Sequence, residues 1–275
     1  MHKFAFIVNT FQRPIEILQD CIISLENQCP KDSLILIVDQ NEIPIGVRFN
    51  NANIIHRPFK SISTARNHGV KAVEAEWYIF IDDDGVIGTD SISVFINLVE
   101  NQTLDIVGGK VIIKGSKSAY SVRQNINSGY LSFISLKAVM GGLLAVKRDC
   151  FLELNGFDER FGIGSTWGSG EESDFAIRAY LIRKKIFFEP SFFLIHPSPE
   201  RLQEFKIASY ATGKGALIRK LVQSNWHPLL ILEILDTFLF PIVEGIFYLI
   251  SFKARKAKRS YLKIKFRIKG FKSFH

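Results

Sequence analysis

Residues 77–85 read Trp-Tyr-Ile-Phe-Ile-Asp-Asp-Asp-Gly and constrain the fold more than any other stretch of the chain. A short run of aromatic and β-branched residues predicts a strand buried on both faces. Three carboxylates follow at once, so the strand must leave the core where charge is tolerated. Other runs have the same form. Residues 3–8 read as a buried strand, 33–39 as a second that also ends on an acid, Asp39, and 54–56 as a short third. Helical patterns lie between them. Ile15, Leu18, Cys21, Ile22 and Leu25 recur at helical spacing behind Pro14, which suits the first helical position. Residues 63–75 predict a helix with Ser63 as its N-cap. Strands alternating with helices imply an α/β fold with a mostly parallel sheet covered on both faces, and such sheets take ligands at the C-terminal ends of their strands. Asp39 and the triplet Asp82, Asp83 and Asp84 both stand there.

Beyond the triplet the pattern predicts a helix near 90–100 and strands near 105–113. Residues 114–135, rich in Ser, Asn, Gly and Lys, read as a long loop able to serve as a mobile lid. A strand over 138–146 is expected to contain Gly141 and Gly142. A helix over 171–183 and short strands at 185–190 and 192–196 complete this part. Residues 229–251 are very apolar and long enough to span a bilayer, but Glu233, Asp236 and Glu244 share roughly one helical face and Pro241 predicts a kink. An in-plane or re-entrant amphipathic pair therefore fits better than a clean span. A helix packed on the domain, or a dimer interface, is the plainer reading.

Charge narrows the function classes. The chain carries 35 Lys and Arg against 27 Asp and Glu, a net +8. Ten of those basic residues lie in 252–275, which contains no acid, so the rest of the chain is slightly acidic. This disfavours a basic groove for nucleic acid, and no nucleic-acid partner is expected. A polybasic segment behind an apolar one suits an anionic membrane surface. The three cysteines, Cys21, Cys29 and Cys150, form neither a paired framework nor a zinc spacing and predict reduced thiols. Residues 1–8 are too soon followed by Gln12 and Arg13 to form a signal core.

The triplet has a chemical use. Adjacent carboxylates repel each other unless a cation sits among them, and hard cations such as Mn²⁺ or Mg²⁺ bind carboxylate and phosphate oxygens together. Such an ion neutralises the charge that grows on a leaving diphosphate. A second acidic group, Glu171 and Glu172 before Asp174, opens the helix over 171–183 behind flexible glycines. An inverting sugar transfer needs one carboxylate to take the proton of the acceptor hydroxyl, and ordinary acidic capping of a helix is the plainer reading. Asp174 and Arg178, at i and i+4, read as a structural pair.

The motifs VNTFQRP, IVDQN, STARNHG, IDDDG, NGFDERF and GSGEESDF occur in that order over roughly residues 4–200. In this the chain resembles the family 2 glycosyltransferases of GT-A fold, and within them the bacterial members that build surface polysaccharide on lipid carriers. The resemblance implies a Rossmann-like nucleotide-binding domain with a mostly parallel mixed sheet flanked by helices, and the apolar and polybasic stretches add a C-terminal membrane-associated helical tail. It implies a nucleotide-sugar half over 1–110, an acceptor half with the base over 111–205, and helices with the polybasic tail over 206–275. Thr10, Arg13, Asp39, Arg66, Asp82 and Asp83 then border the donor. Asn67 lies in the same segment as Arg66. Asp84 and Asp82 hold the metal, Mn²⁺ or Mg²⁺, with His196 as a third ligand or an ordinary polar histidine. Glu172 stands at the base position, where the family commonly has Asp, with Glu171 as the alternative. Gly141 and Gly142 line the acceptor side. Trp167 stacks on an acceptor sugar or sits in the core. The glycines and cations of 210–220 meet a lipid-linked pyrophosphate or merely cap a helix.

The expected reaction is transfer of a sugar from a nucleotide-diphosphate donor to a saccharide or lipid-linked saccharide, at the cytoplasmic face of the plasma membrane. UDP is the expected nucleotide, with dTDP and GDP as alternatives. Two rivals stand beside it. A nucleotidyltransferase needs a glycine-rich basic loop after the first strand, and NTFQRP has no glycine. A non-catalytic membrane-binding protein leaves the acids at the strand ends unexplained.

Overall fold

The computed structural model describes residues 1–198, 204–224 and 226–275. Two compact units make up the chain, the first from 1–157 and 175–198, the second from 158–174 and the described residues after 203.

The first unit is built on one sheet. Its parallel half has β1 (His2–Thr10) between β2 (Leu34–Asp39) and β4 (Ala75–Asp82), with β3 (Ala52–His56) outside β2. The two-residue β5 (Val86–Ile87) follows the acidic triplet. The order then continues from β4 through antiparallel β8 (Leu143–Lys147) to β6 (Ile106–Ile113) and β9 (Ile186–His196), which carries β5 on its edge. The sheet is therefore mixed and mainly parallel, and strands from both sides of residue 110 share it.

Alternation along the strands explains the layers. Phe4, Phe6 and Val8 of β1, with Ile35, Ile37, Trp77, Ile79 and Ile81, pack on helix α1 (Ile15–Glu26) through Leu18, Cys21, Ile22 and Leu25. The residues between them face the other way. There Ile7 and Val38 approach Gly69 of helix α2 (Ile62–Ala72) so closely that an added Cβ would stand 2.7 Å from Ile7 Cγ2. Tyr78 and Phe80 meet Phe151 of helix α4 (Arg148–Glu153) and Phe157. Helix α3 (Ser91–Asn101) adds Phe95, stacked 5.0 Å from Phe192.

Several expectations need correction. The α2 N-cap is Ser61, not Ser63: its backbone is extended and its Oγ accepts from the Thr64 amide at 3.2 Å, while Ser63 is buried inside the helix. Gly141 and Gly142 lie in the turn before β8. The two strands expected over 185–196 are one, β9, whose register slips between Gly109 and Lys110 of β6. Pro190, which has no amide hydrogen, falls in that bulge and gave the impression of a break. Residues 114–135 are not a free loop. They carry a 3₁₀ turn (Val122–Gln124) and the short β7 (Gly129–Tyr130), paired with β9. Gln124 is fully buried, its amide donating to the carbonyls of Gly109 and Ala138 and accepting from Val111 N–H, each at 3.0 Å.

The second unit is helical. Helix α5 (Glu171–Leu181) begins in it and ends in the first unit. Helices α6 (Glu204–Ser224) and α9 (Ala254–Ser273) cross so tightly that an added Cβ at Gly215 would lie 1.9 Å from the Arg267 carbonyl oxygen, and one at Gly270 1.9 Å from that of Thr212. The glycine of residue 215 therefore permits a helix crossing. The cations around it are engaged too: Lys214 with Glu233, Lys220 with Asp158 and Asp174, and Arg219 over the Phe271 ring.

Between these helices run α7 (Leu230–Ile234), a π-helical turn (Leu235–Leu239) and α8 (Phe240–Ile250). Pro241 cannot donate to the preceding turn, and the Thr237 carbonyl accepts instead from Arg267 Nη1 at 2.7 Å. Leu230, Glu233, Thr237 and Pro241 form the buried stripe. Glu244 bonds Ser260 and Lys263. Among the described residues no helix is long and apolar enough to cross a membrane. All three cysteines are free.

One buried amide explains why STARNHG and NGFDERF occur together. Asn67 Nδ2 donates to the Phe157 carbonyl at 2.9 Å and its Oδ1 accepts from the Phe157 amide at 3.0 Å. Replacing Asn67 with Ala leaves both backbone groups buried and unpaired. It should lower the unfolding free energy by about 2–4 kcal/mol, read from urea denaturation. An unchanged midpoint would count against the clamp.

Candidate active site

Strand register assembles the site. In the parallel half Thr10 stands opposite Asp39, and Asn9 opposite Asp82, so three strand ends present polar groups side by side. The chain turns at Asp83 and Asp84 into β5, which pairs antiparallel with the end of β9, Val86 opposite Ile195. The next step of that ladder brings His196 to the triplet.

The result is a compact set of charges. Single ligand atoms of Asp82, Asp84 and His196 lie within 4.8 Å of one another. His196 Nε2 is 2.9 Å from Asp84 Oδ1, while Nδ1 meets the Pro197 carbonyl at 2.9 Å. As it stands Nε2–H donates to Asp84; with the other proton kept on Nδ1 by that carbonyl, loss of the Nε2 proton would make Nε2 a ligand atom, the arrangement usual for metal-binding histidines. The Tyr120 ring stands edge-on against the imidazole at 4.9 Å. Two hard oxygens and one imidazole nitrogen, on separate strand ends, fit a small divalent cation such as Mn²⁺.

The acids are balanced unequally. Burial and the neighbouring acids raise the Asp82 pKa against the pull of Arg66 and His196. Burial likewise raises Asp83 despite Arg13. Burial opposes charge on Asp84 as well, but the His196 hydrogen bond and charge, with Arg13, bring its pKa below the usual carboxylate value. His196 is raised: burial opposes its charge, and Asp84 outweighs burial.

Two arginines attend the triplet in different ways. Arg13 reaches from the loop before α1, with Nε 2.9 Å and Nη2 2.8 Å from Asp83 Oδ1, and Nη2 2.9 Å from Asp84 Oδ2. Arg66 is 2% exposed and lies against the rings of Phe80 and Phe157. Its Nη2 donates to the Gly141 carbonyl at 2.9 Å and stands 3.8 Å from Asp82 Oδ1. Arg66 thus holds the Gly141-Gly142 turn beside Asp82. Gly142 completes that approach, its carbonyl accepting from the Asp82 amide at 3.2 Å.

The remaining residues fall as follows. Thr10 is buried at the end of β1, where its side chain favours the charged form of Asp83. Asp39 is fully buried, Oδ1 accepting from the Asn41 amide and side chain at 3.0 and 2.7 Å and Oδ2 from the Ile45 amide at 2.8 Å, so it anchors the following loop. Asn41 Oδ1 in turn accepts from the Gln12 amide at 2.7 Å, a link that the motif IVDQN did not reveal. Glu171, Glu172 and Trp167 belong to the second unit. Glu171 is buried and Glu172 partly exposed, both in the first turn of α5. Trp167 is 8% exposed between Phe161 and Phe274, 5.3 and 4.7 Å away, and packs as a core residue; the alternative of stacking on a sugar is set aside. Asp174 pairs with Lys220 at 2.6 Å, and Arg178 donates to the carbonyls of Leu154 and Gly156.

Gly142 offers a test of the cation seat. A Cβ there would stand 2.9 Å from Asp82 Oδ2 and push the carboxylate aside. Gly142→Ala should weaken Mn²⁺ binding about tenfold, a loss of ~1.4 kcal/mol, with the melting temperature nearly kept. Calorimetric titration showing wild-type affinity would refute Gly142 as the residue that gives Asp82 its room.

Comparison with known proteins agrees with this fold. In fold the chain is similar to the mannosyltransferase PcManGT of Pyrobaculum calidifontis, solved with GDP-Man and Mn²⁺: TM-score 0.71, 13% identity, 98% of this chain and 86% of that one covered. It is also similar to residues 1–349 of S. aureus TarS solved with UDP-GlcNAc, TM-score 0.69, 13% identity, covering 98% and 81%. The same TarS fragment with UDP gives 0.68 at 14% identity, covering 88% and 74%. The family model described as Glycosyl transferase family 2 matches residues 5–152, more than half of the sequence, and the chain belongs to that family.

Proposed function

We propose that the protein is an inverting glycosyltransferase that moves a sugar from a nucleotide-diphosphate donor to a saccharide acceptor hydroxyl. The observation that carries this is the convergence of Asp82, Asp84 and His196 at the strand ends of a family 2 domain. Those three residues would hold a divalent cation, which supplies neutralising charge to the departing diphosphate. The protein's own groups do the rest. Thr10 and Arg13 keep Asp83 in place at the donor side, and the Asp39-anchored loop borders the nucleotide. Arg66 and Gly142 set the position of Asp82. Glu172 takes the acceptor proton. Its family position and its place in the first turn of α5 support it, with Glu171 as the alternative. The similar proteins bound to GDP-Man, UDP-GlcNAc and UDP support a GDP or UDP donor.

The acceptor we propose is a lipid-linked saccharide of bacterial surface polysaccharide, met at the cytoplasmic face of the membrane. The support lies in α7 and α8, whose amphipathicity is inverted. Glu233, Thr237 and Pro241 face the protein, whereas Leu239, Val243, Ile246, Leu249 and Ile250 are exposed. The following Phe252 is 95% exposed with a positive φ of 53°. Lys253, Arg255, Lys256, Lys258 and Arg259, all exposed, come directly after it. An apolar face bordered by cations suits a surface of anionic lipid, with residues 229–251 lying in the interface.

Two experiments test these readings. Asp84→Ala should abolish transfer and weaken donor binding, whereas Glu172→Gln should keep donor binding and lose turnover by two to four powers of ten, roughly the share of a general base. A radiolabelled-donor assay decides between the carboxylates, since wild-type turnover in Glu172→Gln removes that residue from the role. For the membrane, Ile250→Asp with Phe252→Asp should release the folded protein from anionic liposomes in a flotation assay. Undiminished flotation would overturn the assignment of that face.

A further inference from the structure

Asp84 has both oxygens engaged: Oδ1 by His196 and Oδ2 by Arg13, each at 2.9 Å. A divalent cation taking Asp82, Asp84 and His196 as ligands must share or displace one of these partners. Arg13 also sets a permanent positive charge beside the seat, because a guanidinium does not deprotonate. The second arginine cannot make way. Arg66 is enclosed by Phe80 and Phe157 and bonded to the Gly141 carbonyl. Arg13 is different. Its side chain is 31% exposed and it enters the site from a loop rather than from the core. Its grip on Asp83 uses Nε as well as Nη2, so it can leave Asp84 and remain anchored. The planar fork that spans two carboxylates matches two diphosphate oxygens equally well.

We infer that Arg13 is a displaceable internal cation of the acidic seat: it competes with the metal for Asp84 and is drawn off by the diphosphate of the donor. The inference rests on the metal reading above. Two consequences follow from charge alone. A divalent cation binding without nucleotide has to work against Arg13. When a diphosphate is present, Arg13 exchanges one anionic partner for another, and Asp84 is released to the metal. Arg13 therefore weakens metal binding alone and strengthens nucleotide binding, and it couples the two.

Mn²⁺ binding without nucleotide, read by the electron paramagnetic resonance of free Mn²⁺, tests this directly. Arg13→Gln should bind Mn²⁺ about three- to tenfold more tightly than wild type, since a like charge is removed from the site. With Mn²⁺ saturating, the same variant should bind UDP and GDP several-fold more weakly by calorimetry. The opposite signs matter, because a residue that merely supported the fold would lower both affinities. Arg13→Lys, which keeps the charge but not the fork, should fall between, and it decides the question if Arg13→Gln does not fold. Mn²⁺ affinity no greater than wild type in the folded variant overturns the inference. Asp84→Ala separates this from failure of the metal reading: Mn²⁺ binding that survives Asp84→Ala removes the seat itself, whereas binding lost there but unmoved in Arg13→Gln removes only the role of Arg13.

Discussion

Three consecutive carboxylates at the end of a largely buried strand repel one another, and the site is organised around countering that repulsion. Each acid has its own cation: Arg66 for Asp82, Arg13 for Asp83, and His196 with Arg13 for Asp84. The three come from α2, the loop before α1 and the last residue of β9. Compensation by separate elements means that the acidic turn ties the first unit together as well as creating a seat for a cation. It also explains the split in charge behaviour. Desolvation opposes charge on all three; at Asp82 and Asp83 it outweighs the cationic partners and the pKa values rise, while at Asp84 the His196 hydrogen bond and charge with Arg13 outweigh it and the value falls.

The cation partners are positioned in turn by the sheet. β5 has only two residues, and its pairing with β9 is what returns residue 196 to residue 84, more than a hundred positions earlier. Opposite Gly109 and Lys110 of β6 the register of β9 slips, and beyond the slip its last residue, His196, stands opposite Ile113. Arg66 depends on a different device: aromatic rings on two sides and a carbonyl at its tip hold its charge where water cannot. A guanidinium so placed gains from the nearby carboxylate only as long as Gly142 allows Asp82 to approach.

Much of the parallel half was legible because buried strands and amphipathic helices leave strong periodic signals, as at 77–82 and 15–25. The acidic triplet was legible as chemistry, whereas His196 entered only through the family resemblance, beside the plainer reading of an ordinary polar histidine. What stayed hidden depended on contacts distant in sequence. Nothing in the segment around Gln124 announces that a side-chain amide replaces strand pairing and fastens residues 114–135 to the sheet. Asn67 and Phe157 are ninety residues apart, and their paired hydrogen bonds leave no local mark. Trp167 read equally well as a sugar platform or as core, because aromatic identity alone does not tell which neighbours surround a ring. The Ser61 cap was missed for a simpler reason: Ser61 and Ser63 are both capable caps, and only backbone conformation distinguishes them.

The apolar segment 229–251 shows how composition can mislead in one respect and inform in another. Length and hydropathy alone suggest a bilayer span, but Glu233 within it is held by Lys214, and Glu244 by Ser260 and Lys263. Those pairs orient the helices. Once Glu233 and Glu244 must face α6 and α9, the geometry of a helix turns most of the Leu, Ile and Phe residues outward. Burying acids in order to expose aliphatic residues runs against the hydrophobic effect in water. An apolar phase would remove that cost, and the cations that begin at Lys253 would complement anionic groups at its edge, which is the ground for the membrane proposal.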